Sequence, residues 1–176
     1  MKWLLRSLES IDLECHRFEN ESVNKKALRM DGERGIRKQL GLENYNCCDY
    51  LFTHQDNLYL IEISDFVIQR DNLQKNHSIK EIKKIIRQEI RLKIMGSLII
   101  LFKIPTQFSI SHEKIHTGKI RVILILCSDD SSDVVAFDYL QTDLKTALSP
   151  LITEVIVMNI SMFRDHGNSC SKKITS

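Results

Sequence analysis

Residues 48–64, CDYLFTHQDNLYLIEIS, decide our interpretation of the fold. Two runs within this stretch, CDYLFTHQ and NLYLIEIS, are rich in the aromatic and β-branched residues that are typical of strands. The turn-like sequence Gln55-Asp56-Asn57 stands between them. Because a short polar connection between two such runs favours antiparallel pairing, we expect a β-hairpin here.

The residues before the hairpin are predicted to be helix and loop. Apolar residues from Trp3 to Cys15 recur near helical spacing, which indicates an amphipathic helix that runs to about Phe18. The stretch 20–46 contains three glycines and ends among asparagines. We expect this stretch to be broken helix and loop.

After the hairpin, the pattern predicts alternating helices and strands. An isoleucine at every third or fourth residue from Ile79 to Ile90 predicts a long helix that begins near Ser78 and ends near Gly96. Residues 97–104, SLIILFKI, are compatible with a buried strand and with the apolar end of that helix, and we expect a strand. The sequence then predicts a strand over 119–128, a helix over 131–149 and a strand over 152–161.

This order of elements predicts an α/β fold with a central mixed sheet flanked by helices. The chain has 176 residues, a length that suits one domain, and we find no linker or internal repeat. We therefore expect a single domain over residues 1–163. Residues 164–176 are expected to form a flexible C-terminal tail.

The composition narrows the class of protein. Hydrophobic residues make up 43% of the chain and charged residues 27%, as in ordinary globular proteins. Charges interrupt every apolar run before it reaches the roughly 20 residues of a membrane span, so we expect neither an export signal nor a membrane span. The five cysteines have no zinc-binding spacing, and their odd number fits a reducing cytoplasm better than a disulfide framework.

Two carboxylates in the hairpin carry the strongest chemical signal. Asp49 opens the first strand and Glu62 lies near the end of the second, so a tight hairpin brings them side by side. Glu62 also stands within an apolar run, where a charged side chain needs a partner or a metal. Such a pair can hold Mg²⁺ or Mn²⁺, with the backbone carbonyl of Ile63 as a third ligand.

This pattern resembles the PD-(D/E)xK nuclease superfamily, in which an Asp begins one strand, the next strand ends in Glu-x-Lys and a helix follows. The resemblance covers about residues 48–97 and implies a restriction-endonuclease-like fold. It also implies metal-dependent cleavage of phosphodiester bonds, of the restriction or phage-defence kind. Asp49 and Glu62 would hold the metal and take part in catalysis.

The sequence departs from the family at the motif lysine, where it has Ser64. A serine hydroxyl can form hydrogen bonds but carries no charge. Members of the superfamily also use a Lys or Gln from the following helix, which makes Gln69, Gln74 and Lys75 candidates. We assign Ser64 and Gln69 as assisting catalytic residues. Glu14 and Glu33 are further acidic candidates from the first third of the chain.

Basic residues are concentrated in the long helix, although the whole chain carries a net charge of only +2. The candidates for binding nucleic acid are Lys75, Lys80, Lys83, Lys84, Arg87 and Arg91. We expect the partner to be DNA, bound by its phosphate backbone. A homodimer or a partner subunit is also expected, because cutting both strands requires two sites.

Two alternatives stay open from the sequence. Asp49 could cap a strand while Glu62 pairs with a lysine, and the basic helix could simply present a solvated face. In that case the chain keeps the nuclease fold as a catalytically inactive module that binds nucleic acid or a partner protein. Ser64 is the residue that favours this interpretation.

Overall fold

The computed structural model describes residues 8–12, 22–54, 57–103 and 119–171. Within these ranges the strands are β1 (Leu8–Asp12), β2 (Ser22–Arg29), β3 (Tyr50–His54), β4 (Asn57–Ser64), β5 (Lys119–Leu126) and β6 (Glu154–Asn159). The helices are α1 (Ile36–Gln39), α2 (Phe66–Leu73), α3 (Ile79–Lys103), α4 (Ser131–Phe137), α5 (Tyr139–Leu148) and α6 (Ile160–Ser171).

The strands form one six-stranded sheet in chain order. Strands β1 to β4 pair antiparallel, and β4, β5 and β6 pair parallel. The predicted hairpin is confirmed, with Tyr50 opposite Ile61 and His54 opposite Asn57. The structure therefore confirms a mixed α/β sheet flanked by helices.

Two hydrophobic cores lie on the two faces of the sheet. The first core contains Leu58 and Leu60 of β4 together with the isoleucine stripe of α3. Four helices contribute to this core: α2, α3, α4 and α5. They belong to the connections from β4 to β5 and from β5 to β6, which run in the same direction along the sheet. Because parallel connections are right-handed, both place their helices on the same face. The second core contains Ile61 and Phe163, so α6 covers the opposite face.

The prediction for the start of the chain is wrong. Leu8–Asp12 is strand β1 rather than helix, and Ser22–Arg29 is strand β2 rather than broken helix and loop. Helical and strand periodicity cannot be told apart over five residues, and pairing with a neighbouring strand decided the outcome. The rest of the predicted first helix lies outside the described residues.

The predictions for Gly96 and for residues 97–104 are also wrong. Helix α3 continues through Gly96 to Lys103, so SLIILFKI is helical as far as the structure describes it. A Cβ atom at position 96 would lie 1.8 Å from the backbone oxygen of Asn46. Gly96 is therefore a close-packing position between α3 and the segment before β3, and it does not end the helix.

The C-terminal part follows the sequence prediction more closely. Strands β5 and β6 are confirmed, while the helix predicted over 131–149 is two helices, α4 and α5. Helix α6 continues to Ser171, so the backbone after residue 163 is helical rather than frayed. Residues 172–176 of the predicted tail lie outside the described part of the chain, and the division into one domain and a tail stays a prediction.

The cysteines and the helices test two expectations from the sequence, namely reduced thiols and the absence of a membrane span. Cys127 is disulfide-bonded, contrary to the expectation of reduced thiols, whereas Cys47 and Cys48 are free and buried. Among the helices that the structure describes, none is long and apolar enough to cross a membrane.

The contact at Gly96 predicts that a Gly-to-Ala substitution in the middle of a helix lowers the stability of the protein. Helix propensity alone predicts that Gly96→Ala stabilises α3 by about 1 kcal/mol. Because the new methyl group would clash with the backbone at Asn46, we instead expect a loss of about 2–4 kcal/mol in the free energy of unfolding. Urea unfolding measures this change, with Gln88→Ala at an exposed position of the same helix as the control. A more stable Gly96→Ala protein would contradict the packing described here.

Candidate active site

Glu62 is a buried carboxylate in the middle of the sheet. Side chains alternate between the two faces of β4, so Leu58, Leu60 and Glu62 enter the first core while Ile61 enters the second. The side chain of Glu62 is 0% exposed. A charge in this position is tolerated only with a partner.

Asp49 lies beside Glu62, immediately before β3. Tyr50 pairs with Ile61, and the same register continued by one residue places Asp49 opposite Glu62. The carboxylate Oδ2 of Asp49 accepts a hydrogen bond of 2.7 Å from the backbone N–H of Ile63. The structure thus brings together the two carboxylates of the hairpin.

Lys93 of α3 completes the cluster. Its ammonium Nζ lies 2.5 Å from Oε1 of Glu62, and its side chain is 23% exposed. Sequence reasoning counted Lys93 only in the basic charge of the long helix. One signal in the sequence could have identified it. Lys93 stands next to Ile94 at the border of the isoleucine stripe of α3, and a lysine in that position can reach the sheet on which the stripe packs.

A second contact fixes α3 against the segment that leads to Asp49. The hydroxyl of Ser97 accepts a hydrogen bond of 2.8 Å from the backbone N–H of Cys48. The same hydroxyl donates to the backbone oxygen of Lys93 at 2.8 Å. Together with the close approach at Gly96, this contact sets the position of Lys93 relative to Asp49.

Burial dominates the electrostatics of the site. It raises the pKa of Glu62 to about 8, and the neighbouring charge of Asp49 adds to the effect. Burial also raises the pKa of Asp49 to about 6, against the hydrogen bond from Ile63 and the attraction of Lys93. For Lys93 burial is the largest single effect and opposes the charge, but the hydrogen bond to Glu62 and the attraction of Glu62, Asp49 and Glu89 together outweigh it, so the pKa of Lys93 is held above its ordinary value. When both carboxylates are ionised, one ammonium neutralises only one of their two negative charges, so a further cation would be attracted to the site.

The donor set fits Mg²⁺. Among the described residues, Oε2 of Glu62 is buried without a hydrogen-bond partner. Since N–H and C=O of a strand residue point to the same side, the carbonyl of Ile63 lies on the Asp49 side of β4. No group of three or more His, Cys, Asp or Glu side chains that could hold a metal occurs in the described ranges. Mg²⁺ needs no such cage, because it is commonly bound through one or two carboxylates and keeps several waters.

The candidates for the missing motif lysine lie in different places. Ser64 ends β4 and alternates to the same face as Glu62. The side chain of Gln69 donates a 2.6 Å hydrogen bond to Glu89 of α3, one helical turn before Lys93. Gln74 caps the C-terminus of α2 and is exposed, and Lys75 is exposed and bonded within its own turn. None of these candidates is the cation that contacts Glu62.

Of the two acidic candidates from the first third of the chain, the structure describes one, which does not join the cluster. Glu33 is exposed and forms an ion pair with Lys38. Glu14 lies outside the described residues.

Part of the predicted nucleic-acid-binding set points towards α5. Arg87 forms an ion pair of 2.9 Å with Asp143. The ammonium of Lys83 lies 4.6 Å from the centre of the Tyr139 ring, in cation–π geometry. These two basic side chains are engaged in contacts between α3 and α5.

The other members of the predicted set on α3 form an exposed basic flank, which consists of Lys80, Lys84 and Arg91. Lys84 and Lys93 are nine positions apart, about two and a half helical turns, so the two side chains leave opposite sides of α3. The basic flank therefore does not border the carboxylates directly.

The fold and the cluster define a mixed α/β protein with a carboxylate pair, of which Glu62 is buried and Asp49 half-buried, and a lysine at one end of its hairpin. Comparison with protein-family models, with curated proteins and with solved structures finds no match for this chain. Membership of the PD-(D/E)xK superfamily therefore stays a prediction from the sequence.

The raised carboxyl pKa values predict how stability depends on pH. Between about pH 4.5 and 8 the folded protein binds more protons than the unfolded chain, because burial raises the pKa of Glu62 to about 8 and that of Asp49 to about 6. The free energy of unfolding of metal-free protein should therefore fall as pH rises from 5 to 8. Urea unfolding in the presence of a chelator measures this decline.

Glu62→Gln should make the decline smaller by at least about 1 kcal/mol, since the amide does not titrate. The control is Glu154→Gln, which removes a glutamate from a surface ion pair with Arg121 on the far strands of the sheet. Equal declines for wild type and Glu62→Gln would show that Glu62 is not held in the environment described here.

Proposed function

We propose that this chain is a metal-dependent nuclease in which Asp49 and Glu62 hold Mg²⁺ or Mn²⁺ and Lys93 supplies the cation that Ser64 does not. The observation that carries this proposal is the meeting of three charged groups at one end of the hairpin. The two carboxylate oxygens of Glu62 differ there. Oε1 contacts Lys93, whereas Oε2 has no hydrogen-bond partner among the described residues.

The proposed roles follow from the chemistry of each group. A bound Mg²⁺ would supply Lewis acidity to activate water and to offset charge on the phosphate. The ammonium of Lys93 would stabilise negative charge on the substrate, as a pre-positioned cation in a site of low dielectric. Ser64 can add a hydrogen bond at the end of the same strand. The hydrogen bond from Ile63 holds Asp49 in place.

The proposal includes the restriction-endonuclease-like fold that the sequence pattern implies. The antiparallel hairpin, the following helices and the parallel strand β5 support it. Nucleic acid, with DNA favoured, is the proposed substrate, and restriction or phage defence in the cytoplasm is the proposed setting. A homodimer or a partner subunit would supply the second site for cutting both strands.

A second candidate function rests on the burial of the site. Glu62 is 0% exposed and is already paired with a lysine, which is the arrangement expected if the pair only stabilises the fold. The chain would then be an inactive nuclease-fold module that binds nucleic acid or a partner protein. The two candidates differ in whether the purified chain cuts nucleic acid with added metal.

Cleavage of single- and double-stranded DNA and RNA with Mg²⁺ or Mn²⁺ tests the first candidate. We expect metal-dependent cutting by wild type and a loss of at least about a hundredfold in rate for Asp49→Asn, Glu62→Gln and Lys93→Met, because each removes a charge that acts in the reaction. Ser64→Ala should lose less than about tenfold, since a neutral hydrogen bond is worth less than a charge. Gel assays with labelled oligonucleotides measure these rates.

Lys103→Met is the matched control for Lys93→Met, since it removes an exposed lysine of the same helix that has no proposed role. Thermal unfolding of each variant separates a lost charge from a lost fold, and Lys93→Arg keeps a cation where the Met variant does not fold. Binding of nucleic acid without cutting by folded wild type, with every metal tested, would overturn the nuclease proposal and favour the inactive module.

The exposed basic flank yields a separate test of nucleic-acid binding. We expect Lys80→Glu with Lys84→Glu to weaken binding of duplex DNA and to lower the slope of log affinity against log salt by about 2, since two phosphate contacts are lost. Fluorescence anisotropy at several salt concentrations measures both quantities. Lys119→Glu with Lys145→Glu makes the same charge change at two exposed positions elsewhere. Equal losses in the two double variants would mean that the flank contributes only net charge.

A further inference from the structure

Lys93 occupies the same carboxylate that would hold the proposed metal. Its ammonium lies 2.5 Å from Oε1 of Glu62, whereas Oε2 is buried and has no hydrogen-bond partner among the described residues. Both oxygens belong to one carboxylate group, so a divalent cation on Oε2 would lie beside the ammonium. Two positive charges this close in a buried site repel each other strongly. Glu62 therefore cannot keep both cations without a large cost in electrostatic energy.

The side chain of Lys93 has a route away from Glu62. It is partly exposed, whereas Glu62 is fully buried, and among the described residues Glu62 is its one ion-pair partner. Its backbone is fixed, because the carbonyl of Lys93 accepts a hydrogen bond of 2.8 Å from the hydroxyl of Ser97. Rotation about side-chain bonds is enough to move the ammonium, since the charged end of a lysine can reach water while its stem stays packed.

The two carboxylates of the site depend on the lysine to different degrees. A carboxylate without exposure needs a cation when it is ionised, and Lys93 meets this need of Glu62 in the metal-free protein. Asp49 is half-buried, and its Oδ2 accepts a hydrogen bond from the neutral backbone N–H of Ile63. The contact with Lys93 thus replaces a metal at Glu62 rather than at Asp49.

We propose that Lys93 is an internal counter-ion of Glu62, and that its ammonium leaves Glu62 when a divalent cation binds to the carboxylates. The inference rests on the proposed function, because it assumes the metal site at Asp49 and Glu62. The released ammonium is then available to the phosphate of the substrate, so the lysine serves the carboxylate and the phosphate in turn. In a static role, Lys93 would stay on Oε1 with and without metal.

Chemical modification of the wild-type chain distinguishes a lysine that moves from one that stays. The readout is the rate at which limiting acetic anhydride acetylates Lys93 in the folded full-length protein, measured by mass spectrometry of the peptide. We expect saturating Mn²⁺ to raise this rate at least about tenfold, because the ammonium leaves a buried ion pair. Lys103, an exposed lysine of the same helix, is the internal control, and Mn²⁺ should leave its rate unchanged. No nucleic acid is added, so the result does not depend on cleavage.

Isothermal titration of the same proteins with Mn²⁺ measures the competition from the side of the metal. We expect Lys93→Met to bind Mn²⁺ at least about tenfold more tightly than wild type, because the opposing charge is gone. Lys103→Met should keep the wild-type affinity, and Glu62→Gln should lose binding. Thermal unfolding shows whether Lys93→Met is folded, and the acetylation of wild type decides the question where it is not.

The outcomes separate this inference from the proposed function. Binding of Mn²⁺ to wild type with an unchanged acetylation rate of Lys93 would overturn the inference and leave the metal site in place. Release of Lys93 by Mn²⁺ without any cleavage of nucleic acid would support the inference and overturn the nuclease. Binding to Lys93→Met but not to wild type would do the same, because the lysine would then exclude the metal. Absence of binding to both folded proteins would overturn both proposals.

Discussion

The ion pair between Lys93 and Glu62 is the constraint around which the rest of the structure is arranged. Glu62 has no exposure to solvent and stands in the strand where the antiparallel and parallel halves of the sheet meet. A carboxylate in that place needs a cation, and the cation comes from the helix that crosses the strand. Helix α3 carries Lys93 against this strand, where its ammonium contacts Glu62. Residues that draw α3 against the sheet are therefore also residues of the site.

The contacts around α3 show how tightly this arrangement is set. The backbone at Asn46 approaches Gly96 so closely that no side chain fits between them. At the next residue, the hydroxyl of Ser97 accepts a hydrogen bond from the N–H of Cys48, next to Asp49. The distance between the aspartate of the hairpin and the lysine of the helix thus depends on a glycine and a serine that carry no charge. Such residues are invisible to a search for charged motifs.

The site combines features of an active centre and of a structural ion pair. Both carboxyl groups have raised pKa values because burial disfavours their charged forms, and Lys93 compensates only part of this effect. An added divalent cation would offset the remaining negative charge, which supports the proposed metal site. Full burial of Glu62 supports the inactive module instead. The basic flank of α3 points away from the cluster, so the proposed binding of nucleic acid and the proposed chemistry at the carboxylates would depend on different residues.

The sequence by itself determined the elements whose patterns are long or chemically distinct. The hairpin over 48–64 combines strand-forming residues with a polar turn, and the isoleucine stripe of α3 repeats over several turns, so local preference and burial agree in both. The pairing of Asp49 with Glu62 followed from the hairpin alone, because register in a tight hairpin is a local property.

The tertiary structure decided what depends on residues distant in the chain. Strand β1 is too short for its periodicity to identify, and its pairing with β2 made it a strand. Gly96 has the residue type of a helix end, and only contact with Asn46 shows that it is a packing position. In the sequence, Lys93 is one basic residue among several. Because Ser64 occupies the position of the motif lysine, the substitute was sought in and just after α2, the helix that follows β4. Which lysine reaches Glu62 depends on how α3 crosses β4, and that crossing is set by packing of the whole core rather than by any local pattern.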